Sequence, residues 1–211
     1  MSRPTLILVG GGGHCRSVID VIEAECKWSI AGVLDREELA GQKVLDHPII
    51  GGDAMIPALA DQGHSFLVTA GQVKDAGLRI RLHQAVISAG GSLATVVSPL
   101  ARVAGGATIG AGTVVCHFAL VNNGAHVGAG CIVNTGALVE HDAAIGDHCH
   151  IATGAIVNGG CTVGARSFVG SGAVLLQAIR LGADCLVGAG AVVLKDVKDR
   201  TTVVGQPARE R

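Results

Sequence analysis

Residues 127–145 read VGAGCIVNTGALVEHDAAI, one six-residue phrase spoken three times and begun a fourth. Val127, Val133, Val139 and Ile145 recur every six places, and four places after the first three stand the small residues Cys131, Ala137 and Ala143. Extended in both directions, the step of six from Val97 to Val193 meets Val, Ile or Leu at all seventeen positions. With aliphatics filling roughly one position in four, chance would give such a run about once in 10¹⁰, so the period is a property of the fold. Glycine often follows the aliphatic, as at Gly110, Gly128, Gly146, Gly164, Gly170, Gly182 and Gly188.

A phrase of this kind describes one short flat strand and one turn. Three phrases, eighteen residues, close a triangular coil, and coils stack about 4.8 Å apart through strand hydrogen bonds. The aliphatics point inward, and glycine supplies the turns, where φ is often positive. The interior is narrow, which accounts for 2% aromatics, no Tyr, and 32 glycines in 211 residues. Four of the seven cysteines, Cys131, Cys149, Cys161 and Cys185, occupy the small-residue place. With an odd count and no C-x-x-C pair, they read as packing and not as redox chemistry.

Composition excludes several classes. Hydrophobic residues make up 49%, ample for a core, and the formal net charge is −1. A disordered chain is excluded, as is a nucleic-acid binder that works by clustered Lys and Arg. No run reaches the ~18 apolar residues of a membrane span, and Leu6–Val9 is too short for a secretory signal. A cytoplasmic location, with no membrane or nucleic-acid partner, is expected.

Residues 1–97 lack the six-residue period and alternate strand and helix, so two domains are expected, 1–97 and 98–211. Thr5–Val9 reads as a strand, Gly10 to Gly13 as a turn into a helix over His14–Glu25, and Ser29–Leu34 as a second strand ending at Asp35. A helix over Asp53–Asp61 follows, with Asp53 as N-cap and Gly63 as stop. Then come a strand over Ser65–Ala70 and a helix over Lys74–Ala89. Strand, glycine loop, helix, strand and acid form a mononucleotide-binding half of Rossmann type, in which backbone N–H groups and a helix N-terminus face phosphates. The G-x-G-x-x-G fingerprint is incomplete, because Cys15 stands at its third glycine. Gly10, Gly12, Gly13, His14 and Asp35 are the candidate nucleotide contacts, with a tight turn without ligand as the alternative.

On a stacked coil, positions eighteen apart form columns. One column reads Asn123, His141, Gly159, Gln177 and Lys195, and Asp142 adjoins His141. The stretch Asn134 to Asp142, the run Ile145 to His150, the glycine-rich opening with His14, the acid at Asp35, the repeats and the tail Val203 to Arg209 carry a resemblance over nearly the whole chain. The sequence resembles the hexapeptide-repeat acyltransferases, and within them the bacterial nucleotide-sugar N-acetyltransferases with their sialic-acid O-acetyltransferase relatives.

That resemblance implies a Rossmann-like α/β domain, with a mainly parallel sheet, followed by a left-handed parallel β-helix. It also implies acetyl transfer from acetyl-CoA to the 4-amino group of a GDP-perosamine-like or UDP-linked amino sugar, in surface polysaccharide or glycan biosynthesis. His141 would be the general base, Asp142 its orienting carboxylate, Gly159 N–H the oxyanion donor and His150 a partner of the thioester carbonyl. Asn134 and Thr135 would lie near the sugar. Gly170, Ser171 and Ala189 would lie along the pantetheine arm, and Lys195 near a CoA phosphate. The chemistry is coherent, since an attacking amine must shed a proton and an imidazole of pKa near 6.5 can take it at neutral pH. Exposed flat prism sides point to a homotrimer with sites between neighbours.

Three other readings stay open: O-acetylation of a sugar such as sialic acid, a non-catalytic scaffold, and a metal protein like the γ-type carbonic anhydrases. Against the last, the places of that family's other two zinc histidines hold Gly136 and Leu100, and His148 and His150 alternate with Cys149 on a strand, so all three cannot share one face. No metal is expected.

Overall fold

The computed structural model describes residues 3–72 and 75–211. Each hexad forms a two-residue strand that pairs in parallel with the strand eighteen residues on, as in Leu120↔Leu138 and Leu138↔Ile156. Three sheets result, of eight, six and five strands, and they wall a left-handed triangular prism. The first runs from Val96–Val97 through His150–Ile151 to a C-terminal hairpin of Thr202–Val204 and Arg209–Glu210. The second runs from Arg102–Val103 to Val192–Val193, and the third from Thr108–Ile109 to Arg180–Leu181. Inside, the aliphatics from Val115 to Val193 and the small residues four places on form one continuous buried cluster.

Glycine does two different jobs, only one of which follows from the turn. The glycines directly after the aliphatic are needed for close approach: a Cβ on Gly110 would lie 2.5 Å from Ala129 N, and one on Gly170 2.6 Å from Ala189 N. Positive φ falls two places later, at Gly112, Gly130 and Gly136, and in the same phase at the non-glycines Asp142, His148 and Arg166. The small-residue place at one corner also has a polar task. Thr113, Cys131, Cys149 and Ser167 stack in a column, and each donates its O–H or S–H to the carbonyl fifteen residues on, at 2.8–3.1 Å. Cys185 donates likewise to Lys198 O, thirteen residues on, at 3.0 Å. A buried turn carbonyl is thereby satisfied by any small donor.

The front half holds β1 (Thr5–Val9), α1 (Gly13–Glu25), β2 (Ser29–Leu34), β3 (Lys43–Val44), β4 (His47–Gly51), α2 (Ile56–Asp61), β5 (Ser65–Val68), α3 (Gly77–Ser88) and β6 (Ser92–Leu93). The sheet order is β3-β4-β2-β1-β5-β6, parallel except for the β3–β4 hairpin, which the sequence did not announce. Gly52, not Asp53, takes the N-cap place of the short turn before α2, with no side-chain cap. The expected start of the third helix at Lys74 lies outside the described residues. Val18, Ile19 and Ile22 of α1 join Val96, Val114, Cys116 and Ile132, outward residues of the first prism sheet, in one core. His117 ties the same seam, with Ser98 Oγ at 2.6 Å on one nitrogen and Asp20 Oδ2 of α1 at 2.8 Å on the other. Ser98 is buried, so this is a docking strut and not a nucleophile's relay. No helix among the described residues is long and apolar enough to cross a membrane.

The outward residues divide the prism's faces. The first sheet is covered by the front domain at Val96, Val114, Ile132 and His150. The third carries Thr108, His126, Thr162 and Arg180, all exposed. The second presents Leu120, Leu138, Ile156, Val174 and Val192, an apolar stripe left half-buried. Ile145→Ala, which hollows the interior, is expected to lower the unfolding free energy by about 2–5 kcal/mol in urea titration at fixed chain concentration. Thr162→Ala on the third face should stay within about 0.5 kcal/mol.

Candidate active site

His141 and Asp142 occupy the turn between the second and third sheets, at the places where the repeat usually sets small residues. Asp142 has φ +59°, a left-handed conformation that Asp tolerates better than most residues. It bends the carboxylate back so that Oδ2 lies 2.9 Å from His141 Nδ1. A carboxylate only accepts, so Nδ1 carries the hydrogen and Nε2 keeps its lone pair. The ring lies across Gly159 of the next coil, where a Cβ would come 2.5 Å from Nε2. Gly159 N–H donates to no protein acceptor among the described residues. Asp142 Oδ1 leans in the same way over Gly124, where a Cβ would collide with it. Both side chains of the pair stay more than half exposed. Three coils on from His141, Lys195 is exposed beside Asp196 and Arg209 in a shallow groove.

The other candidates gather at a different edge. Asn134 and Thr135 open the turn between the first and second sheets, and Ser171 and Ala189 continue Thr135's column, both exposed. Gly170 is buried at the same edge. His150 stands on the outer face of the first sheet, 7% exposed, under the front domain. Its Nδ1 is 3.1 Å from Gln72 O and its Nε2 3.2 Å from Asn134 Nδ2, so both nitrogens are engaged within the chain. A side of the triangle separates this edge from His141, roughly 15–20 Å for six residues at strand rise. Within one chain, the structure therefore brings together His141, Asp142 and Gly159, and separately His150, Asn134 and Thr135.

At the carboxyl ends of β1, β2, β4 and β5, where the strand order turns about β1, a cleft of about 730 Å³ opens. Gly10, Gly12, Asp35, Asp53, Ala70 and Gly71 line it. Gly10 has φ +108°, and a Cβ on Gly12 or Gly13 would meet nothing within 4 Å, which leaves the N-terminus of α1 open to a ligand. Asp35 braces this loop, with Oδ2 accepting from Gly11 N at 2.6 Å and Oδ1 from Arg36 N at 2.7 Å. Burial, and then Asp35's charge, push the Asp53 carboxyl up. His14 does not line the cleft; it lies between Gly71 and the His150 ring, 6.2 Å away centroid to centroid.

Residue patterns gave no role to Gln72, Arg79, His83 or His148, all of which meet at the seam between the two halves. Arg79, among Leu78, Ile80 and Leu82, reads as a solvent-facing charge but is 1% exposed. Burial, with Arg79's charge as a further cause in each case, lowers His14 and His83 to about 4 and His150 to about 3, and lowers His148. These groups stay neutral in the folded chain where the unfolded chain would protonate them near 6.5. Between pH 6.5 and about 4 the unfolded state therefore binds more protons, and stability falls as pH falls. The urea midpoint is expected to drop from pH 7.5 to pH 5, with most of the drop below 6.5.

The fold and site define a hexapeptide-repeat transferase with an α/β front domain. The PglD N-terminal domain family matches residues 5–77, and the bacterial transferase hexapeptide family (six repeats) matches residues 142–177. A His→Asn variant of perosamine N-acetyltransferase from Caulobacter crescentus, in complex with CoA and GDP-perosamine, is 33% identical, with TM-score 0.92 over 100% of this chain and 98% of that one. The acetyltransferase domain of PglB from Neisseria gonorrhoeae, in complex with acetyl coenzyme A, is 30% identical, with TM-score 0.91 over 100% of both chains. WeeI from Acinetobacter baumannii is 25% identical, with TM-score 0.87 over 98% of this chain and 99% of that one. A comparison with curated protein sequences gives no match. The chain belongs to the family of hexapeptide-repeat sugar N-acetyltransferases that carry a PglD N-terminal domain.

Proposed function

We propose that this chain moves the acetyl group of acetyl-CoA onto the 4-amino group of a nucleotide-linked dideoxy amino sugar, GDP-perosamine-like or UDP-linked. The observation that carries the reading is the His141–Asp142 pair, its Nε2 lone pair presented on the outside of the prism over Gly159. The amine attacks the thioester carbonyl, a C–N bond forms and the C–S bond breaks, CoA leaving as a thiolate that takes up the proton from His141. The proton lost by the ammonium goes to His141 Nε2, and Asp142 steadies the imidazolium. Gly159 N–H is the candidate donor to the developing oxyanion. The cleft at Gly10, Gly12 and Asp35 suits a nucleoside diphosphate, with pyrophosphate at the N-terminus of α1. Gly13 and His14 stand in that first turn. Asn134 and Thr135 are assigned to the sugar, His150, Gly170, Ser171 and Ala189 to the thioester and its arm, and Lys195 to a CoA phosphate.

The second prism sheet joins the two edges that hold these groups, and its apolar stripe has no partner among the described residues. Three copies packed on that face set the His141 edge of one beside the Asn134–Ser171 edge of the next, which makes the homotrimer the working unit. A soluble enzyme of the cytoplasm fits a CoA donor and a nucleotide-linked acceptor.

The test is CoA release with a panel of GDP- and UDP-linked 4-amino sugars. One of them is expected to turn over, and silence across the panel would count against the reading. His141→Ala should lose at least about 10² in kcat; a rate within twofold of wild type removes the base role. Ile156→Asp is expected to sediment as a monomer without turnover. Mixing dissociated and reassembled His141→Ala and Asn134→Ala chains should return part of the activity, because some sites in mixed trimers then draw both edges from intact partners.

A further inference from the structure

Ala70 and Gly71 line the front cleft, and the residue after them leaves it. Gln72 is 3% exposed and lies in the seam between the front domain and the prism. Both ends of its amide are held: Nε2 donates to Arg166 O at 3.1 Å, and Oε1 accepts from Arg79 Nη2 at 2.7 Å. Arg79 in turn donates from Nε to Gly130 O at 3.1 Å and from Nη2 to His148 O at 2.5 Å. Among the described residues no carboxylate lies within ion-pair distance of this guanidinium. A buried cation without a counter-ion is costly to maintain. Here it clamps α3, Gln72 and two successive coils of the prism into one rigid unit.

The main chain of Gln72 reaches the other way. Its carbonyl takes the hydrogen of His150 Nδ1, which fixes that ring with a bare Nε2. Asn134 Nδ2 faces this Nε2 at 3.2 Å, and Asn134 Oδ1 accepts from Thr135 N at 2.8 Å. The amide of Asn134 is thus oriented at both ends, and one line of contacts runs from the cleft wall at Gly71 through Gln72 and His150 to Asn134.

We propose that Gln72 is a positioning residue that transmits occupancy of the nucleotide cleft to the His150–Asn134 pair. The proposal rests on the functional reading above. Gln72 touches no ligand; it sets the carbonyl that sets the His150 ring. A nucleotide pressing on Ala70 and Gly71 shifts that carbonyl against a side chain pinned to the prism, and the shift appears at the imidazole and at the amide beyond it. Because coupling is reciprocal, an ordered His150–Asn134 pair also favours the occupied cleft.

The experiment uses the full chain labelled with ¹⁵N-histidine, titrated with GDP and with UDP, the His150 ring signals being assigned by their loss in His150→Gln. In the wild type, the nucleotide that binds is expected to move the His150 ring signals. In Gln72→Ala it should bind within about threefold of wild type and leave those signals in place. With the nucleotide sugar, kcat should fall about tenfold or more while KM stays within about threefold. Gln72→Glu keeps an acceptor for Arg79 and sets a carboxylate against Arg166 O; it should show the same loss in a chain whose guanidinium remains partnered. A nucleotide response that persists at His150 in both variants overturns the proposal, and so does a loss of rate carried wholly by KM. Wild-type protein that binds neither nucleotide would bring down the functional reading itself, whereas binding without a His150 response brings down only the relay.

Discussion

The hydrogen-bond ladder between coils is the constraint on which the rest depends. It places each residue directly over the one eighteen positions earlier, as in His150↔Phe168 and Val139↔Val157. A side chain at a corner then has a fixed neighbour above and below, and no freedom to find another. His141 rests on Gly159 and Asp142 on Gly124 because those residues are at the required distance in sequence and lack a Cβ. The chemistry of the site is a local departure from the repeat, made where the repeat offers empty space.

The same ladder explains why the candidate groups fall into two sets. Corners are 120° apart, so a residue six positions along the chain faces another direction. His141 and Asn134 are near in sequence and belong to different edges. The face between those edges is the apolar one, so the surface that asks for a partner also separates the halves of the site. In the proposed trimer, assembly and catalysis would draw on the same five aliphatic side chains.

Much of this was legible in the residues. The six-residue period located the prism strands from Val96–Val97 to Val192–Val193, though not the C-terminal hairpin, and the small-residue places put four cysteines in the interior, where they lie. Of the residues read as nucleotide contacts, Gly10, Gly12 and Asp35 line the front cleft, while Gly13 and His14 do not. What was not legible has a common cause. Gln72, Arg79, His83 and His148 act across the seam between two domains, with partners 51 to 94 residues away in the case of Arg79 and Gln72. No period links such positions, and a buried Arg that donates to carbonyls through Nε and Nη2 looks in sequence like any surface Arg. The β3–β4 hairpin escaped because two-residue strands such as Lys43–Val44 carry too little pattern to register. The glycine after each aliphatic was read as a turn residue, although it is contact with the coil above that excludes a side chain there.

The column of Thr113, Cys131, Cys149, Ser167 and Cys185 has one more implication. Because each storey is closed by the same kind of bond, storeys are interchangeable, and the chain can be lengthened or shortened only in whole multiples of eighteen. Six residues added between His141 and Lys195 would swing the lysine round to another edge of the tower. Eighteen would lower it by a single floor and leave it facing as before.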